Sequence, residues 1–226
     1  MYQVADSQVL ARGSRALLRR RVTTRVSRTV LLLGVTSMLT DISSEMVTAI
    51  LPIYLVYTLG MTPLQFGVVD GIQQGAAALV RIGGGVAADR LGKYKEVAAV
   101  GYGLSAVSRL LLLIVGRSWS LIGATIFLDR TGKGIRTAPR DALISQSTPD
   151  EDLGTACGVH RAMDTAGAMI GPLIAFCVLL VAPHAFHSIF ALSLCFAVVG
   201  LAVLVLFVEN RPERLEGSEQ IGRAHV

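Results

Sequence analysis

The chain has 226 residues, of which 52% are apolar and only 16% charged, with a formal net charge of +5 and a mean hydropathy of +0.58. A soluble domain carries about 25% charged residues, so this composition excludes an ordinary water-soluble domain and points to a glycine-rich membrane protein. The excess cations are not interleaved with aromatics for base stacking, so no nucleic-acid partner is expected.

Residues 1–29 form a basic segment holding Arg12, Arg15, Arg19, Arg20, Arg21, Arg25 and Arg28. The apolar stretch that follows is too long, and too polar at its centre, for a cleaved signal, and no A-x-A-like site follows it; the sequence predicts that it is retained. A membrane helix needs about 20 mostly apolar residues. Six segments qualify: about 30–57, 63–88, 96–116, Trp119 into the stretch 127–141, 154–182 and 187–208. The loop after the second has Arg90, Lys93 and Lys95, and the tail after the sixth has Arg211 and Arg214. The first-to-second and fifth-to-sixth loops have no Lys or Arg, and the loop after the third has Arg117 alone. The positive-inside rule then places both termini in the cytoplasm.

Several spans carry ionisable groups, which are expensive in hydrocarbon and mark pathways more often than surfaces. In the first, Ser37, Asp41, Ser44, Glu45 and Thr48 form one polar stripe. The second has Asp70, Gln73, Gln74 and Arg81; the third has Arg109. The fourth has Asp129, Arg130 and Lys133, and the fifth has His160, Arg161 and Asp164, with His160 and Asp164 one turn apart. At about 1.5 Å per residue, Asp41, Arg130 and Asp164 lie near the midplane. Asp70 and Arg109 lie about seven residues from the outer face and are expected to pair there. Two small-residue repeats, Gly67–Gly71–Gly75 and Gly167–Gly171, suit close helix contacts. Cys157, Cys177 and Cys195 sit in apolar stretches with no metal-ligand spacing, so they read as small packing residues, and no metal or cofactor is expected. The segment "TGKG" does not make a phosphate loop: the pattern G-x-x-x-x-G-K-[ST] would need glycine at Phe127 and a hydroxyl residue at Gly134. A nucleotide-binding enzyme is therefore set aside, and no enzymatic activity is expected.

Between the second and third spans stands "GGVAADRLGKYK", with Gly85, Asp89, Arg90, Gly92 and Lys93. This resembles the signature loop of the major facilitator superfamily, with Tyr94 at its second basic position. Arg130 and Gly134 match the R-x-x-x-G pattern of that family's fourth helix. "GAMIGP", with Gly167, Gly171 and Pro172 at its spaced positions, resembles the antiporter motif of the fifth, although Ala175 and Phe176 stand where two more glycines are usual. The resemblance implies an all-α membrane protein: six transmembrane helices over 30–208 forming the amino-terminal half of a transporter, built as two inverted three-helix units. Residues 209–226 would begin the cytoplasmic loop between halves. One reverse translation of "IGRAHV" matches a common sequencing adapter, so 221–226 are expected to be non-native.

The implied function is secondary transport of a small solute by alternating access in a bacterial plasma (inner) membrane, as proton-coupled efflux. Protons would be carried by Asp41, Glu45 and Asp164, with His160 beside them, because a carboxylate's proton affinity there depends on the nearest cation. Arg130 is expected to face the acids of the first and fifth helices, with Lys133 and Arg161 next. Asp89, Arg90 and Lys93 would form a cytoplasmic gate, with Asp141 as partner of Arg90 or Lys93, while Arg136 and Arg140 would reach the cytoplasmic surface. The alternatives are proton- or anion-coupled uptake of an anion such as an organophosphate, held by Arg130, Lys133 and Arg136, or an inactive fragment. Expected partners are the solute, protons, the bilayer, and a carboxy-terminal half or a second copy of the chain.

Overall fold

Six α-helices of 21 to 29 residues make up nearly all of the described chain. They are α1 (Arg28–Ile53), α2 (Pro63–Leu91), α3 (Tyr94–Ile114), α4 (Trp119–Gln146), α5 (Leu153–Val181) and α6 (Phe186–Phe207). A π-helical turn, Tyr54–Thr58, extends α1, and a short 3-10 turn, Asp150–Asp152, precedes α5. The computed structural model describes residues 26–209 except 59, 116 and 117. The basic amino-terminal segment before residue 26, Arg117, and the tail with Arg211, Arg214 and 221–226 lie outside the described residues.

Local chemistry sets the helix ends. Ser27 caps α1, its Oγ accepting a hydrogen bond from the Val30 amide at 3.3 Å. Thr62 and Gln65 form a reciprocal capping box at the start of α2, with Pro63 in the first turn. Gly92 ends α2 at φ +60°, a left-handed conformation that costs other residues energy, and the chain turns there directly into α3.

Among the described residues, four segments are long and apolar enough to cross a membrane: Arg28–Tyr57, Tyr94–Ile114, Asp150–Val181 and Phe186–Phe207. Helices α2 and α4 are as long, at 29 and 28 residues, but carry more charge and do not qualify on composition. They nevertheless pack in the same bundle. Helix α1 lies against α5 and α6, α4 lies against α2 and α3, and α3 meets α6. Exchanging the first three helices with the last three leaves this contact pattern unchanged, as expected for two related three-helix units.

Two apolar clusters close the ends of the bundle. One joins Met46, Ile50, Tyr54, Leu112, Ile126 and Phe190; the other joins Val30, Leu33, Tyr102, Leu143, Ile144 and Leu204. The charged face of α4 lies between them along that helix, while the polar stripe of α1 starts between them and runs on beside the first cluster.

Glycines draw the helices together. A Cβ on Gly167 would lie 2.5 Å from the Met38 carbonyl oxygen, and one on Gly171 would lie 2.7 Å from that of Ile42, so α5 rests directly on the backbone of α1. Pro172 follows within α5 without ending it. The repeat in α2 behaves differently: Gly67, Gly71 and Gly75 have nothing within 4 Å of a built Cβ. Their face meets no helix among the described residues.

Gly167→Ala should destabilise the chain by about 1–3 kcal/mol, because the methyl group forces α1 and α5 apart. Gly158→Ala, at a position with open space, should be neutral or slightly stabilising through helix propensity. Thermal unfolding of the purified chain in detergent measures both; equal shifts would refute the close-contact account.

Candidate functional site

Asp129, Lys133, Arg136 and Arg140 stand at i, i+4, i+7 and i+11 on α4 and share one face. That face is turned toward α1, α3 and α5, and each charge on it meets a partner. Arg109 of α3 reaches Asp129 at 2.9 Å, with side chains only 2% and 6% exposed. The same guanidinium donates to Ser43 Oγ at 3.3 Å and to Ser44 Oγ at 3.1 Å on α1. Arg109 therefore pairs with Asp129 and not with Asp70. The physical reason is placement: α3 lies along α4 and only grazes α2, which carries Asp70.

One turn further, Lys133 Nζ sits 3.7 Å from both Asp41 Oδ1 and Glu45 Oε1. Arg136 reaches Asp41 at 3.6 Å, donates to Ser105 Oγ at 2.6 Å and lies 4.7 Å above the Tyr102 ring. Arg140 is shared: it meets Asp164 at 3.3 Å, Asp141 at 3.0 Å and Ser37 Oγ at 2.8 Å. Ser37 in turn bonds the Tyr102 hydroxyl at 3.0 Å. His160 is buried, with Nε2 3.5 Å from Asp164 Oδ1.

These pairings correct three expectations. Arg130 does not face the acids of α1 and α5; its guanidinium meets Thr48 Oγ1 at 3.4 Å, while Lys133, Arg136 and Arg140 hold the acids. Arg136 and Arg140 do not reach the surface; they are 2% and 6% exposed. Helix α4 runs through Pro139 to Gln146 and carries both inside the bundle. Asp141 meets Arg140, its chain neighbour, rather than Arg90 or Lys93.

The charged groups surround a cavity of about 390 Å3 between α1, α2, α4 and α5. Five cations line it, Arg81, Lys133, Arg136, Arg140 and Arg161, against three carboxylates, Asp41, Asp141 and Asp164. Such a chamber attracts polar solutes, with an excess of positive charge. The structure thus brings Asp41, Glu45, Lys133, His160, Arg161 and Asp164 to one region. Of the expected gate, Gly85 packs 3.2 Å from Ala138 on α4 by a built Cβ, while Asp89, Arg90 and Lys93 are exposed around the Gly92 turn. Arg140 and Arg81 are absent from the pathway expected from sequence, and Arg136 enters it only in the anion-uptake alternative; the four-and-three spacing of the α4 charges is the signal that places Arg136 and Arg140 on its inner face.

A family model described as Major Facilitator Superfamily matches residues 33–225. The chain is 40% identical over 191 residues to an uncharacterized MFS-type transporter of Methanocaldococcus jannaschii, covering 83% of this chain and 46% of that protein. It is 34% identical over 193 residues to an uncharacterized protein of Mycobacterium tuberculosis, covering 85% of this chain and again 46% of the relative. The chain thus spans about half the length of these relatives. Its fold is similar to a crystal structure of the peptide transporter POT, with a TM-score of 0.68 at 22% identity, over 78% of this chain and 37% of that one.

Asp129→Leu leaves Arg109 without its counter-charge in a buried setting and should cost about 3–5 kcal/mol. The double variant Arg109→Leu with Asp129→Leu should cost clearly less than the sum of the single changes. Thermal unfolding of the four proteins gives the coupling; additive effects would show that the two side chains do not act as a pair.

Proposed function

Since the chain belongs to the major facilitator superfamily, we propose that it forms one wall of a secondary transporter that moves a small solute by alternating access. The observation that carries this reading is the charged cavity, in which cations of α4 hold the acids of α1 and α5 inside an apolar bundle. In this reading all six helices cross the bacterial inner membrane, α2 and α4 being sheltered by their neighbours, and the cationic loops keep both termini cytoplasmic. The chain is half the length of its relatives, so a second six-helix half, or a second copy of the chain, supplies the facing wall.

Proton coupling follows from how the cations are shared. A proton on Asp41 removes the partner of Arg136 and one of the two partners of Lys133. A proton on Asp164 frees Arg140 to stay with Asp141 and Ser37. Each event changes the charge of the cavity wall by one unit and so changes its affinity for a solute, which is what coupling requires. Glu45, with Lys133, takes the same role one turn from Asp41, and His160 is the neighbour that can pass a proton to Asp164. The direction is efflux by antiport, on the strength of the Gly167–Gly171–Pro172 pattern in α5. Asp89, Arg90 and Lys93, on the turn at Gly92, serve as the cytoplasmic gate.

In proteoliposomes containing the complete two-half protein, Asp41→Asn should abolish solute flux driven by a pH gradient while leaving solute exchange at equal pH measurable. Gradient-driven flux equal to that of the unchanged protein would remove Asp41 from the coupling mechanism.

A further inference from the structure

Beside the large cavity, between α2 and α4, lies a recess of about 170 Å3. Gln74, Arg81, Arg130 and Lys133 line it, together with Gly134 and two alanines. Gly134 makes the recess possible: a Cβ there would lie 2.8 Å from the Ala77 carbonyl oxygen and 3.1 Å from the Arg81 amide nitrogen. Any larger residue would push α2, and Arg81 with it, away from α4.

The recess differs from the large cavity in its charge. Among the described residues no carboxylate lines it, and none lies within ion-pair distance of Arg81 or Arg130. Lys133 sits 3.7 Å from each of Asp41 and Glu45, and Arg130 feels the charge of its chain neighbour Asp129 without being in contact with it. Arg130 is only 7% exposed, and its buried Nε has no hydrogen-bond partner among the described residues. A buried guanidinium with an unpartnered N–H is costly unless a ligand completes it. Arginine's planar fork suits two oxygens of one anion, lysine adds a point charge, and the Gln74 amide can donate as well.

We infer that this recess binds a compact dianionic oxyanion, of which a phosphate group is the type, and that the transported solute carries such a group. The inference rests on the transport reading above and names its substrate class. The volume holds about five or six waters at roughly 30 Å3 each, enough for one tetrahedral oxyanion but not for a larger solute. The remainder of the solute lies in the 390 Å3 cavity, which shares Arg81 and Lys133 with the recess. Arg136 is not part of this anion site; Asp41, Ser105 and the Tyr102 ring occupy it.

The test is inorganic phosphate binding by the purified 226-residue chain in phosphatidylcholine nanodiscs, at constant ionic strength, with tetramethylammonium as the cationic comparison. Phosphate should bind saturably and tetramethylammonium should not. Arg130→Gln should weaken binding by at least about tenfold, the loss expected for a charge-assisted contact. Arg81→Gln, at an exposed position, should weaken it as well, whereas Arg28→Gln at the exposed start of α1 should leave it unchanged. Absence of binding, or binding indifferent to both Arg81 and Arg130, overturns the inference. So does loss of phosphate binding in nanodiscs rich in phosphatidylglycerol, which would identify a lipid headgroup as the occupant. Phosphate-independent flux that still needs Asp41 would sink the substrate class and spare the transport reading; phosphate binding without any flux would do the reverse.

Discussion

Charge compensation inside an apolar bundle is the constraint that organises this molecule. An ionised side chain there must meet an opposite charge or good donors, and an orphaned one costs several kcal/mol. Helix α4 brings Arg130, Lys133, Arg136 and Arg140 into that setting within three turns. Its neighbours answer all but one of these charges: Asp41 and Glu45 from α1 and Asp164 from α5 meet Lys133, Arg136 and Arg140, Arg109 of α3 meets the single inward acid, Asp129, and Arg130 meets only the Thr48 hydroxyl. The backbones of α1 and α4 hardly touch. Long Lys and Arg side chains span the gap between them, and that gap is the cavity.

The gap persists because the close contacts lie elsewhere. Glycines seat α5 on α1 and α2 on α4, and the apolar clusters tie the helix ends together. With α1 fixed by α5 and α6, and α4 fixed by α2 and α3, the two polar helices face each other at a distance set by their outer neighbours. Neither can close on the other without opening a glycine seam. The related packing of the two three-helix units therefore produces the polar centre as a geometric consequence.

Much of this was legible in the sequence. Hydropathy located each helix to within a few residues at most ends, and the Gly167–Gly171 spacing identified a real seam. What hydropathy cannot give is rotation and neighbourhood. Arg109 was matched to Asp70 by depth alone, yet α3 lies on α4, so depth without adjacency chose the wrong acid. Arg136 and Arg140 were placed in the cytoplasm because cations gather at that edge. The helix continues through Pro139, however, and the same cations become interior groups that order the site. The Gly67–Gly71–Gly75 repeat is equally visible, but among the described residues no side chain or backbone packs on it.

The interior charges fall into two kinds, and the distinction is one of alternatives. Arg109 and Asp129 hold one another at 2.9 Å, and their other near contacts are neutral serines. This is the tightest ion pair across these helices, and with the Ser43 and Ser44 bonds it acts as a pin across α3, α4 and α1. The second kind is shared. Lys133 divides between Asp41 and Glu45, Asp41 between Lys133 and Arg136, and Arg140 between Asp141 and Asp164. Removing Asp41 from this set leaves Lys133 with Glu45, while Arg136 falls back on Ser105 and the Tyr102 ring, and removing Asp164 leaves Arg140 with Asp141. A pinned pair on one side of α4 and a shared network on the other give the helix a fixed axis and an adjustable face, and the adjustable face is the one that lines the cavity.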